Sequence, residues 1–190
     1  MVWQWRRNRD HRERDSRGEI VPPQKARPRD PFSDATWMAG LRPVPSRNGE
    51  PSDIRIARDV IGTSPAGLPV EFRIDQLDRP ALLAFLHTHC DGCDEYWSGF
   101  GHTDGGPWPH SVLPAIVTRG PESVDLPDVQ RVAAGVLEVS VIMSDQAWID
   151  YQVLGYPFFV LIDPESHTVI GETVGFGWAE VISMIRSSGY

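Results

Sequence analysis

Cys90-Asp91-Gly92-Cys93 is the stretch of this chain best equipped for chemistry, because it holds the only two cysteines, two residues apart. Two thiols at that spacing on the first turn of a helix can close a small disulfide, with the outer sulfur exposed and the inner one shielded. Orphan backbone N–H groups at a helix start stabilise a thiolate on the outer cysteine, lowering its pKa and making it a nucleophile. Cys90 would then attack a substrate disulfide, or be attacked by a substrate thiol, and Cys93 would resolve the mixed disulfide. The plainer alternatives are a permanent bridge or two inert buried thiols. A ring this small restrains the unfolded chain little, which argues against a bridge kept for stability alone.

Histidines crowd the pair. His89 adjoins Cys90; protonated, it would favour the Cys90 thiolate and exchange a proton near neutral pH. Asp91 works the other way, since an adjacent carboxylate disfavours a thiolate. The alternative for His89 is an exposed loop residue with no role. The segment His87-x-His89-Cys90-x-x-Cys93 also presents two imidazoles and two thiols within seven residues. That donor set suits Zn(II) or Cu(I), and makes a metal chaperone a second class of function. Against it, strand periodicity would direct His87 away from the cysteines. A third class is a non-catalytic interaction module with Tyr96, Trp97 and Trp108 as an aromatic rim. Trp97, four residues after Cys93 on one helix, reads instead as core, as do Trp148 and Trp178.

The elements that must position these groups are visible on both sides. Pro80 to Leu86 is an apolar run with the length of a buried strand, and Asp94 to Phe100 continues as a short helix ended by glycines. Gly101 to Pro109 is too rich in glycine and proline for regular structure. Val112 to Thr118 reads as a strand, Asp128 to Val136 as a short helix and Glu138 to Met143 as a further strand. Trp148 to Pro157 then leads into the apolar run Phe158 to Asp163. A proline opening such a strand requires a free edge or a cis bond. Pro164-Glu165-Ser166 turns the chain into a second run, Thr168 to Val174. A final helix carries Trp178, Val181, Ile182, Met184 and Ile185 on one face. The order β-α-β-α-β-β-α predicts an α/β domain with a mixed central sheet flanked by helices.

With Cys90–Cys93 and Gly155-Tyr156-Pro157 as anchors, residues 68–188 resemble the thioredoxin-like superfamily, and within it the TlpA-type branch of thiol-disulfide oxidoreductases. The pattern of that branch, Y-x-V-x-G-x-P-x-x-F-x-I-D, is followed from Tyr151 to Asp163 except at its phenylalanine, where this chain has Val160 after Phe158 and Phe159. The resemblance implies a cis Pro157 packed against the disulfide and a Tyr156 backbone that hydrogen-bonds an extended substrate segment. It implies a protein or small-molecule thiol or disulfide as partner, and no cofactor. Two departures stand out. His89 replaces the tryptophan that thioredoxins place before the first cysteine. Ala84 stands where they keep a buried acid, so the usual proton shuttle for the inner cysteine is missing there.

Length and composition agree with one such domain plus extra sequence. The 190 residues are 41% hydrophobic, enough for one ordinary core. The net charge of −8 is unevenly spread: residues 1–30 carry nine Lys/Arg against five Asp/Glu, leaving the remainder near −12. An acidic domain repels phosphates, which sets nucleic acid aside as a partner. Residues 1–31 read as a disordered basic tail with prolines at 22, 23, 28 and 31. Residues 32–67 read as an irregular adaptor packed on the domain, with Phe32, Trp37, Met38 and Leu41 as one apolar cluster. Ile54, Ile56, Val60 and Ile61 are available for burial, and Val70 to Ile74 alternates as a half-exposed strand in a domain spanning 68–190. No signal-peptide core or spanning run of about 20 apolar residues is present, so the expected location is cytoplasmic. The pair Trp3 and Trp5 ahead of an arginine cluster admits an alternative, a membrane-proximal tether to an upstream helix outside this chain.

Overall fold

The computed structural model describes residues 54–102 and 106–190. The basic tail (1–31), the Phe32/Trp37/Met38/Leu41 cluster and the middle of the 101–109 loop lie outside the described residues. The strands are β1 (Val60–Thr63), β2 (Pro69–Phe72), β3 (Ala81–Phe85), β4 (Leu113–Thr118), β5 (Ser140–Met143), β6 (Phe158–Ile162) and β7 (Val169–Val174). The helices are α1 (Cys93–Phe100), α2 (Leu126–Ala133), α3 (Asp145–Asp150) and α4 (Trp178–Ser187). The strands form one sheet in the order β2-β1-β5-β4-β3-β6-β7. β3, β4 and β5 run parallel, whereas β6 is antiparallel to both β3 and β7.

β3 shows why the sheet is covered on both faces. All five of its residues are buried, as expected of a central strand with no solvent side. Leu82, Ala84 and the following Leu86 join one core cluster with Cys93, Tyr96, Trp97 and Phe100 of α1 and Val181 and Ile185 of α4. Ala81, Leu83 and Phe85 join the opposite cluster with Ala147 and Trp148 of α3. The period of 2 along the strand thus divides two cores. On α1 the buried positions 93, 96, 97 and 100 fall at i, i+3, i+4 and i+7, one helical stripe.

The described part of the adaptor departs from the sequence expectation. Residues 60–63 are a strand, β1, paired antiparallel with β2 and with β5 through Thr63 and Met143. Of the four residues available for burial only Val60 is buried, while Ile54, Ile56 and Ile61 are exposed. Ile56 bridges Thr168, and the Val169 N–H donates to the Arg55 carbonyl at 2.8 Å, so residues 55–57 run beside the N-terminal end of β7. Here backbone pairing holds the segment, together with the buried Ala57 and the Arg55 side chain, which bonds Glu172 and the Tyr151 carbonyl. A second departure is α3, whose six residues are too few to display a helical apolar period. Ser144 caps it, accepting from the Ala147 N–H at 3.2 Å and donating to the Ile61 carbonyl at 2.7 Å. Among the described residues no helix is long and apolar enough to cross a membrane.

α1 and α4 meet at Gly99, where an added Cβ would sit 2.6 Å from the Trp178 indole. That ring is hemmed in by Tyr96, Phe100, Trp108 and Phe159. Gly99→Ala gains about 1 kcal/mol of helix propensity against about 1–3 kcal/mol of overpacking. Gly99→Val keeps less of that gain and adds bulk. Urea unfolding should show Gly99→Val destabilised by about 1–3 kcal/mol and more strongly than Gly99→Ala.

Candidate redox site

The loop between β3 and α1 builds the site. Gly92, with φ 114°, takes the left-handed conformation that glycine adopts without strain. This brings the Cys93 N–H to the Cys90 carbonyl at 3.1 Å, and the two cysteines form a disulfide with Cα atoms 5.3 Å apart. Cys93 is the first residue of α1, while Cys90 sits in the turn ahead of it rather than on the helix itself. The inner sulfur is fully buried and Cys90 is half-buried, the asymmetry expected from the spacing. The His87 N–H points at Cys93 Sγ at 3.5 Å. The Trp97 indole N–H donates to the His87 carbonyl at 3.3 Å, tying helix to loop.

The second anchor lies beside the first. The Tyr156–Pro157 bond is cis, as the resemblance implied. The Gly175 N–H donates to the Pro157 carbonyl at 2.9 Å, fixing the start of β6 against the end of β7. Tyr156 is 40% exposed, and its ring stacks on His87 with centroids 5.1 Å apart and planes 17° from parallel. Behind it the edge of Trp148 meets Tyr156 at 5.8 Å, and the Arg119 guanidinium covers Trp148 at 4.4 Å. One wall beside the disulfide is therefore a layered stack running from His87 to Arg119.

The histidines take separate partners. His87 Nδ1 accepts the His89 backbone N–H at 3.1 Å. Burial pushes the His87 pKa below the usual imidazole value, and the charges of His89 and Arg119 push the same way, so His87 is held neutral. His89 turns outward, its Nε2 2.6 Å from Asp128 Oδ2 on α2. Arg131 holds the other carboxylate oxygen of Asp128 at 3.2 Å. That bond, with His89 contributing, holds the Asp128 carboxyl below the ordinary carboxylate range.

The structure thus brings Cys90, Cys93, His87, His89 and Tyr156 to one end of the sheet, with Pro157 buried behind Tyr156. It does not converge the four donors His87, His89, Cys90 and Cys93 on one point. The sulfurs bond each other, one imidazole stacks on Tyr156 and the other pairs with Asp128. Among the described residues no three His, Cys, Asp or Glu side chains are grouped as a metal site. Ala84 is buried in the same cluster as Cys93, so that position offers the inner sulfur no carboxylate. The aromatic-rim reading is only partly met: Tyr96 and Trp97 are buried in the core, whereas Trp108 is half-buried at its margin. Sequence reasoning missed Asp128, Arg131 and Arg119. The one sequence signal near the first two is Asp125, whose side chain caps α2 at the Asp128 N–H.

No protein-family model matches the chain, and no curated protein matches its sequence. Solved structures do. A thiol:disulfide interchange protein of the thioredoxin family from Chlorobium tepidum TLS is 17% identical, with a TM-score of 0.55 over 73% of this chain and 99% of that one. A thio-disulfide isomerase from Thermus thermophilus is 18% identical, with a TM-score of 0.52 over 72% and 96%. The MTB protein dsbF, in its mixed oxidised and reduced forms, is 18% identical, with a TM-score of 0.52 over 68% and 94%. The likeness runs through the mixed sheet and its covering helices, and by that architecture the chain has the thioredoxin-like fold.

Proposed function

We propose that this chain is a thiol-disulfide oxidoreductase of the TlpA-type branch, exchanging disulfides with protein or small thiol substrates through Cys90 and Cys93. The observation that carries the reading is the asymmetric disulfide ahead of α1, one sulfur half-buried and the other fully enclosed. An incoming thiolate reaches Cys90 alone. It bonds to Cys90 Sγ as the Cys90–Cys93 bond breaks, and Cys93 leaves as a thiolate that meets the His87 N–H. A second substrate thiolate then releases Cys90, leaving the protein reduced and the substrate oxidised by two electrons. The reverse sequence reduces a substrate disulfide. Tyr156, exposed ahead of the cis proline and stacked on His87, is the wall against which an extended substrate segment lies.

The reduction potential tests this reading directly. Equilibration in glutathione or dithiothreitol buffers should give a reversible two-electron midpoint between roughly −120 and −280 mV, the span of exchange catalysts. A pair that does not titrate reversibly would overturn the proposal. A midpoint far below that range would mark a structural bridge.

A further inference from the structure

We propose that Asp128 is a positioning residue for the exchange reaction, selecting which nitrogen of His89 trades a proton with Cys90. The inference rests on the thiol-disulfide reading and extends it to a residue on a different element. Asp128 is braced on three sides. Its backbone N–H is held by the Asp125 carboxylate at 3.4 Å, its Oδ1 by Arg131 at 3.2 Å, and its Oδ2 lies 2.6 Å from His89 Nε2. Arg131 and the helix start fix the carboxylate before His89 is considered, so the imidazole is drawn to a preset acceptor.

The chemistry follows from occupancy of the two ring nitrogens. With Nε2–H donated to Asp128, the neutral imidazole has its lone pair on Nδ1, the nitrogen nearer the backbone that runs into Cys90. His89 Nδ1 takes the Cys90 thiol proton. The resulting thiolate donates its electron pair to a substrate sulfur, the substrate S–S bond breaks, and the second substrate sulfur departs as a thiolate. Cys93 then attacks Cys90 and frees the first, so two electrons leave the protein for the substrate. In the imidazolium form, His89 offsets the carboxylate of Asp91 beside Cys90. The other groups facing His89 are His87, neutral and already accepting its backbone N–H, and Arg131 beyond Asp128. The position vacated by a buried acid at Ala84 gives the inner sulfur no shuttle; the His89–Asp128 pair serves the outer one.

An exposed ion pair of this kind adds little to stability, which separates a positioning role from a structural one. The test is the rate of iodoacetamide alkylation of Cys90 in the reduced full chain from pH 5 to 9, read by mass spectrometry site by site. Wild type is compared with Asp128→Asn, His89→Gln and the double variant, with thermal melting of each alongside. Asp128→Asn should alkylate Cys90 about three- to tenfold more slowly at pH 6–7 and move the profile upward, at nearly unchanged melting temperature. In the His89→Gln background the same change should have no further effect. A wild-type profile for Asp128→Asn, or an equal loss with and without His89, overturns the proposal. Loss of the reversible couple in wild type would instead overturn the exchange reading itself, which the alkylation profile does not measure.

Discussion

Cys93→Ser should accumulate a covalent mixed disulfide on Cys90 with any substrate the protein accepts, and Cys90→Ser should accumulate none. The difference comes from burial. Cys93 has no solvent exposure and meets the His87 N–H, so its sulfur is reachable only from within the protein. Once Cys90 has captured a substrate sulfur, release depends on Cys93 attacking across the two-residue turn held by Gly92. Removing that thiol turns an intramolecular step into a bimolecular one. The effective concentration lost slows release by at least about 100-fold at millimolar external thiol. Non-reducing electrophoresis and intact-mass measurement with a small aromatic disulfide would record the adduct and its lifetime. Equal trapping through Cys93 in the Cys90→Ser variant would reverse the assignment of nucleophile and resolving thiol.

Phe85→Ala should be among the most damaging single truncations on the α3 side of the sheet, costing about 3–5 kcal/mol. Phe85 ends β3 with no exposure. Its ring meets Trp148 edge-on at 5.6 Å, Tyr151 at 5.5 Å and Phe158 at 6.4 Å. These partners are themselves buried or half-buried, so the cavity cannot collapse cheaply. Domains of this size hold about 5–15 kcal/mol in total, so the loss is a large part of the whole. Denaturant unfolding measures it directly. The damage should also reach the site, because Trp148 is the ring on which Tyr156 rests; a milder Phe85→Leu variant would retain the fold while loosening that wall.

Much of the scaffold was legible because it is written in local patterns. Pro80–Leu86 and Phe158–Ile162 are continuous apolar runs of strand length, the pattern of strands buried on both faces. The spacing of Val181 and Ile185 marked the last helix in the same way. The Cys90–Cys93 pair and Gly155-Tyr156-Pro157 each carry their chemistry within a few residues. What escaped was non-local. Residues 53–62 alternate polar and apolar side chains, but β1 is held by backbone pairing to β2 and β5 with Val60 alone buried, partners the local pattern does not name. α3 is a single capped turn and a half, and its apolar residues read as a lead-in to Tyr156. The His89–Asp128 contact joins positions 39 residues apart, and only the packing of α2 over the β3–α1 loop creates it. The spacing of His87 from the cysteines admits a metal, but its ring orientation depends on Tyr156, far along the chain.

The two sides of the sheet end in different kinds of protection. β2 presents Pro69, which has no N–H to give, and an exposed Glu71. At the N-terminal end of β7 the crossing segment occupies backbone groups that would otherwise be open: Val169 donates to Arg55 and Ala57 donates to His167, with the Arg55 guanidinium clasping Glu172 farther along. An open strand edge recruits other extended chains and seeds fibrous aggregation. An exchange enzyme that takes substrates in extended form, as proposed for this chain, would meet that hazard at every encounter. With one margin carrying proline and charge and the other partnered from within at its N-terminal end, both sides of the sheet discourage the addition of a further strand.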